Sequence, residues 1–129
     1  MNTYAELDRE FFCGSLEKKG FVVDPDARGE LVYHMPHHLD PTMFVKVFTS
    51  MPLAGGNSRG CGYDAVRVAL TFKNPVTGVT GGLYKTKRVN RTGSQERVLE
   101  RTLERARECY VFGSKRVAER KAARMAKRG

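Results

Sequence analysis

Residues Ala65 to Lys73 alternate without interruption. Val66, Val68, Leu70 and Phe72 fall on one side, and Arg67, Ala69, Thr71 and Lys73 on the other. Successive side chains of a strand point to opposite faces, so such a segment buries one face and leaves the other polar. That is the signature of an antiparallel sheet with one covered face.

The segments around it complete the pattern. Thr3 to Lys19 reads as a helix, with Thr3 and Glu6 at capping-box spacing and Tyr4, Leu7, Phe11, Phe12 and Leu16 as its apolar side. Gly20 can take the left-handed stop, which sets Phe21 over Leu16. Phe21 to Val23 and Glu30 to Met35 read as strands joined by the turn residues 24–29, and residues 34–41, with two prolines, as irregular at their end. Met43 to Met51 is a further strand, apolar at Met43, Val45, Val47 and Met51, with Phe44, Lys46, Phe48 and Ser50 opposite. Asn74, Pro75, Thr77 and Gly78 make a turn into a last strand running to about Arg91. A second helix opens at Thr92 to Gln95, capped by Thr92 or Ser94, with Leu99, Leu103, Ala106 and Tyr110 as its stripe and Val98 beside it. Gly113 is a candidate break before a basic, helix-prone extension.

The predicted fold is therefore α+β. It has an antiparallel sheet of four to five strands, an N-terminal helix and a long C-terminal helix, and helices cover one face. Residues 1–113 form a single domain and 114–129 the basic extension. The 129 residues suffice for one modest core. The order of elements is similar to that in the core of strand-annealing recombination proteins, a likeness of order that carries no motif.

No apolar run spans a bilayer, and the first residues lack a signal-peptide pattern, so the chain is expected in the cytoplasm. Cys13, Cys61 and Cys109 lie far apart and are odd in number, which argues against a disulfide framework or zinc ribbon. Cys13 and Cys109 are expected to be buried thiols, and Cys61 lies in a glycine-rich loop.

Charge points to the ligand class. Residues 1–45 hold eight acids and four bases, and residues 46–129 hold six acids and nineteen bases. A net charge of +9, sorted this way, favours a phosphate-bearing partner. The candidate contacts are Arg59, Arg67, Lys85, Lys87, Arg88, Asn90, Arg91, Arg97, Arg101 and Arg105. Lys85 to Arg91 lie on a strand and its end, and Arg97, Arg101 and Arg105 make one helical row, a track suited to backbone phosphates. Against this, Arg97 with Glu100 and Arg101 with Glu104 have the spacing of i,i+3 pairs on an ordinary solvated helix. In the extension Lys115, Arg116, Arg120, Lys121, Arg124, Lys127 and Arg128 add electrostatic attraction.

Phe44, Lys46 and Phe48 share a face, either as a stacking platform for bases or as core under the first helix. The loop 54–64 offers glycine N–H groups and Arg59 to an anion but has no Walker lysine. His34, His37, His38 and Asp40 match no standard metal spacing, and no catalytic set stands out, so no metal and no cofactor is assigned.

Three readings follow. The first is a non-catalytic protein that binds single-stranded or structured DNA or RNA. The second is a pocket protein that holds a small anionic nucleotide, as small phage-encoded sequestering proteins do, with Arg59, Asn90 and the helix arginines converging on one site, which a homo-oligomer would form between its subunits. The third is an assembly protein whose basic extension meets an acidic partner. No membrane partner is expected.

Overall fold

The computed structural model describes residues 5–53, 65–85 and 88–128, with backbone alone at Lys85 and Arg128. Thr3, Arg59, Cys61 and Lys87 lie outside the described residues, as does the whole 54–64 loop. The elements are α1 (Arg9–Lys18), β1 (Val22–Val23), β2 (Glu30–His37), β3 (Asp40–Pro52), β4 (Ala65–Lys73), β5 (Thr80–Lys85), β6 (Val89–Asn90) and α2 (Gln95–Arg128). This is the expected α+β fold, with six strands where four to five were predicted.

The first helix begins later than its periodicity suggests. Asp8 caps it by accepting from the Glu10 N–H. Ahead of the cap, the Ala5 N–H donates to the Arg91 carbonyl and the Asp8 N–H to Gln95 Oε1, which brings fully buried Leu7 into the core. These long-range contacts hold the segment outside helical geometry. The end of α1 is as expected. Gly20 has φ +98°, its N–H bonds the Glu17 carbonyl, and the Phe21 N–H bonds the Leu16 carbonyl, the paired bonds of a Schellman ending.

All strand pairs are antiparallel, in the order β1-β2-β3-β4-β5, with β6 beside the start of β4. The last predicted strand is thus two, β5 and β6. The stretch 34–41 is also more regular than its prolines suggest. His34 to His37 complete β2, and the chain returns at once through β3.

Two pairings, Val32 with Phe48 and Glu30 with Pro52, frame a bulge in β3. There Ser50 takes φ +60°, a conformation that costs about 1 kcal/mol or more. The bulge keeps both Thr49 and Met51 buried. Thr49 Oγ1 donates to the Leu31 carbonyl, so the inward hydroxyl is satisfied.

One face of the sheet packs on both helices. Leu31, Tyr33, Met43, Val45, Val47, Val66, Val68 and Leu70 join Phe12, Cys13 and Leu16 of α1 and Val98, Ala106 and Cys109 of α2 in one core. Both expected buried thiols are there. The buried stripe of α2 runs Val98, Thr102, Ala106, Cys109 and Gly113, with Leu99, Leu103 and Tyr110 at its margin. Thr102 Oγ1 donates to the Val98 carbonyl, which disposes of its polar group inside the helix. The predicted stripe is therefore rotated. Gly113 does not break α2, which is one helix of 34 residues, roughly 51 Å long.

The other sheet face carries His34, Phe44, Lys46, Phe48, Arg67, Ala69 and Thr71. Phe44 and Phe48 are half-buried and lie opposite the helices, which excludes the covered-core reading for both. No helix among the described residues is long and apolar enough to cross a membrane.

Candidate polyanion-binding surfaces

The charge sorting of the sequence is partly undone by folding. Lys46 Nζ lies 2.8 Å from Asp24, Lys73 Nζ 2.8 Å from Asp26, Arg67 Nη2 2.7 Å from Glu30, and Arg120 Nη2 3.1 Å from Asp40. Four acids from the acidic segment thus meet four bases from the basic one. Three of these acids belong to the β1–β2 connection and its exit into β2, which crosses the open sheet face.

The connection is shaped by its own carboxylate. Asp24 Oδ1 accepts from the Asp26 N–H and Gly29 takes φ +81°. Burial works to raise the Asp24 carboxyl. The hydrogen bonds from Lys46 and the Asp26 N–H, with the positive charge of Lys46, outweigh it and hold the carboxyl below its ordinary value. Asp24 and Lys46 side chains are 4% and 14% exposed, so removing either strands the other's charge. Asp24→Asn is expected to lose about 2 kcal/mol at neutral pH, read as a lower urea midpoint. An unchanged midpoint would make the pair energetically neutral.

The predicted contact residues separate into distinct places. Arg67 stands on the open face, bonded to Glu30, with its guanidinium carbon 5.0 Å from the Phe48 ring centroid. Arg88 is exposed and shares a cavity with Arg67. The Lys85 backbone pairs with Ala69, and exposed Asn90 pairs with Ala65.

Arg91 must be corrected from surface contact to interior residue. It is 6% exposed, its Nη1 donates to Ser50 Oγ, and its buried Nε has no partner among the described residues. It turns inward because its backbone holds Ala5 and its side chain supports the left-handed Ser50.

Arg97, Arg101 and Arg105 line one flank of α2, on the helix side of the sheet and away from Arg67. Ser94, the second of the two predicted caps, accepts the Arg97 N–H at the start of this helix. The one i,i+3 pair within 4.0 Å among the described residues of this row is Arg105 with Glu108, 2.8 Å apart, rather than the two predicted. From Gln95 to Phe112 the helix holds four bases and four acids, so the row adds no net charge.

The excess lies at the end of α2. Lys115 to Arg128 carry seven bases and one acid, Glu119. Arg116 is half-buried with its Nε unpartnered among the described residues, Arg120 is tied to Asp40, and residues 118–127 are all exposed. Arg116, Arg120, Arg124 and Lys127 share a row, and Ala118, Ala122, Met125 and Ala126 face away from it.

The open face also holds a cavity of about 400 Å³, lined by Phe48, Arg67, Thr71, Gly81, Gly82 and Arg88 among others. Thr71 is 7% exposed and its hydroxyl has no hydrogen-bond partner among the described residues.

The histidines pack and hydrogen-bond within the fold. His37, 1% exposed, accepts the Leu39 N–H at Nδ1, so its proton sits on Nε2, 3.0 Å from the Tyr110 carbonyl and 3.1 Å from Ser114 Oγ. His38 Nδ1 bonds the Tyr110 hydroxyl, and His34 stacks on Phe44. Among the described residues no three His, Cys, Asp or Glu side chains group as a metal site requires. Sequence reasoning missed the cavity and this latch between hairpin and helix. The three histidines are visible in the sequence, but the α2 partners of His37 and His38 lie more than seventy residues away.

The fold and surface define an α+β protein with one helix-covered sheet face, an opposite face with a guanidinium-rimmed cavity, and a cationic helical end. Comparison with protein families, curated proteins and solved structures found no match to this chain.

Proposed function

We propose that the protein binds nucleic acid without catalysis, through backbone phosphates, and that single strands or structured regions are its targets. The observation that carries this reading is the end of α2. Seven bases and one acid lie on the last fourteen residues of a continuous helix, exposed at every position from residue 118 to 127. Roughly 12 Å of helix extends past Arg120, the last residue tied to the sheet among the described residues. Phosphate contact needs a track of cations and no particular base sequence, and a helix presents such a track with little entropy left to lose. The flank Arg97–Arg105 is balanced by glutamates and contributes position more than affinity.

The test is fluorescence anisotropy of labelled oligonucleotides against salt. Lys121, Arg124 and Lys127 changed together to Ala should weaken binding about thirtyfold at low salt and flatten the log–log salt slope by about 2. Sequences should suffer alike. Equal affinity for polyglutamate and oligonucleotide would favour the acidic-partner reading instead. An unchanged slope in the triple variant removes the helix end from the interface.

A further inference from the structure

We infer that the open-face cavity is a binding site for one nucleoside 5′-phosphate, either free or as the phosphorylated end of a strand. The inference rests on the reading of the chain as a nucleic-acid-binding protein and supplies it with a site for a base, which the cationic helix lacks.

Five features converge on it. The volume of about 400 Å³ lies within the range of small-ligand sites, about 300–1,000 Å³. Glu30 Oε1 holds Arg67 at 2.7 Å, and the guanidinium lies over Phe48 with its carbon 5.0 Å from the ring centroid. Glu30 is itself 3% exposed, so this cation is placed by a buried group and does not roam. An ordered guanidinium offers a flat face for stacking and edge donors for phosphate.

Arg88 sets a second guanidinium on the same cavity. Gly81 and Gly82 supply a wall free of side chains. A Cβ built on either meets nothing within 4 Å among the described residues, so a flat ring can lie directly on the strand backbone there.

Thr71 completes the site. Its hydroxyl is buried and has no hydrogen-bond partner among the described residues, an arrangement that destabilises a protein unless something supplies the missing hydrogen bond. A base edge has both donors and acceptors to offer. Apolar walls, one lone hydroxyl and two guanidinium groups thus match a ring carrying an anion better than they match inorganic phosphate, which would leave the apolar walls uncovered.

The experiment uses the full chain, isotope-labelled, titrated in turn with AMP, adenosine and inorganic phosphate while amide shifts are followed. AMP is expected to saturate and to move the amides of Ala69, Thr71, Gly81 and Gly82. Adenosine and phosphate should each bind about tenfold more weakly or worse. Gly82→Leu fills the cavity from a backbone position without positive φ and should abolish the AMP shifts. Thr71→Val should weaken AMP about fivefold while leaving the melting temperature unchanged or higher, an outcome a purely structural hydroxyl would not produce.

A 5′-phosphorylated thymidine strand of about fifteen nucleotides that displaces AMP identifies a strand end as the ligand. A strand that leaves AMP in place identifies the free nucleotide. The triple alanine variant of the helix end should lose the strand and keep AMP. If AMP moves none of these amides, or still moves them in Gly82→Leu, the cavity site is wrong whatever the helix does. If AMP binds as expected but no strand binds the wild type, the cavity stands and the helix-end reading falls.

Discussion

Gly113→Val should lower stability by about 3 kcal/mol, although helix propensity alone argues the other way. Glycine inside a helix is about 1 kcal/mol worse than alanine, so an isolated α2 would gain from the change. In the folded protein a Cβ at this position stands 2.8 Å from Met43 Cε and 3.0 Å from His37 Cδ2. Met43 is fully buried, so its terminal methyl can shift only against other core side chains. His37 cannot swing aside either. The Leu39 N–H, the Tyr110 carbonyl and Ser114 Oγ hold both ring nitrogens. The helix must therefore lift from the sheet or the hairpin must open, and either loses packing across Met43. Gly113→Ala should show the same sign at smaller size. Urea midpoints read both variants, and a raised midpoint for either would show that the contact is slack.

Stability should also fall steeply in alkali, chiefly through Cys109. Burial pushes this thiol up to about 12 from the ordinary 9.0, with Glu108 adding to it. The sign follows from proton counting. Below pH 9 folded and unfolded chains both hold the proton, and the contribution is fully present. Between pH 9 and 12 the unfolded chain releases it while the folded chain retains it, so rising pH favours unfolding. One thiol then removes about 2–3 kcal/mol between pH 9 and 11. Cys13 and Tyr33 work in the same direction, each raised mainly by burial.

The acid limb has the opposite origin. Asp24 and Asp40 lie below their ordinary 3.8, Asp40 chiefly through the hydrogen bond from the Thr42 hydroxyl. Their contribution is present above about pH 4 and is lost as pH falls through their folded values. Cys109→Ala, compared with wild type by urea denaturation at pH 8 and pH 11, should show the shallower alkaline fall. Equal falls would remove the thiol from the account.

Much of the architecture was legible because it is local. The alternation of Ala65 to Lys73 appears unchanged as β4, and the Leu16–Phe21 helix ending forms as its glycine requires. At the Asn74 turn, Asn74 Oδ1 accepts the Val76 and Thr77 N–H groups and Gly78 takes φ +73°. Each of these depends on residues within a few positions of one another, where backbone sterics and short hydrogen bonds dominate. The candidate surface was legible only in composition. A basic chain end can be counted, whereas the balance along Arg97–Arg105 and the seating of Arg91 depend on what each side chain meets.

By itself, then, the sequence determined the order of strands and helices, the two-sided pattern of the central strand and the location of surplus positive charge. Periodicity and charge are properties of a chain before it folds. The tertiary structure alone decided that Gly113 is a contact and not a break, that Arg91 turns inward, and that Asp24, Asp26, Glu30 and Asp40 answer cations 22 to 80 positions away. It alone brought Phe48, Arg67, Thr71 and Gly82 around one cavity. Such pairings are set by packing distance in three dimensions, on which spacing along the chain has no hold.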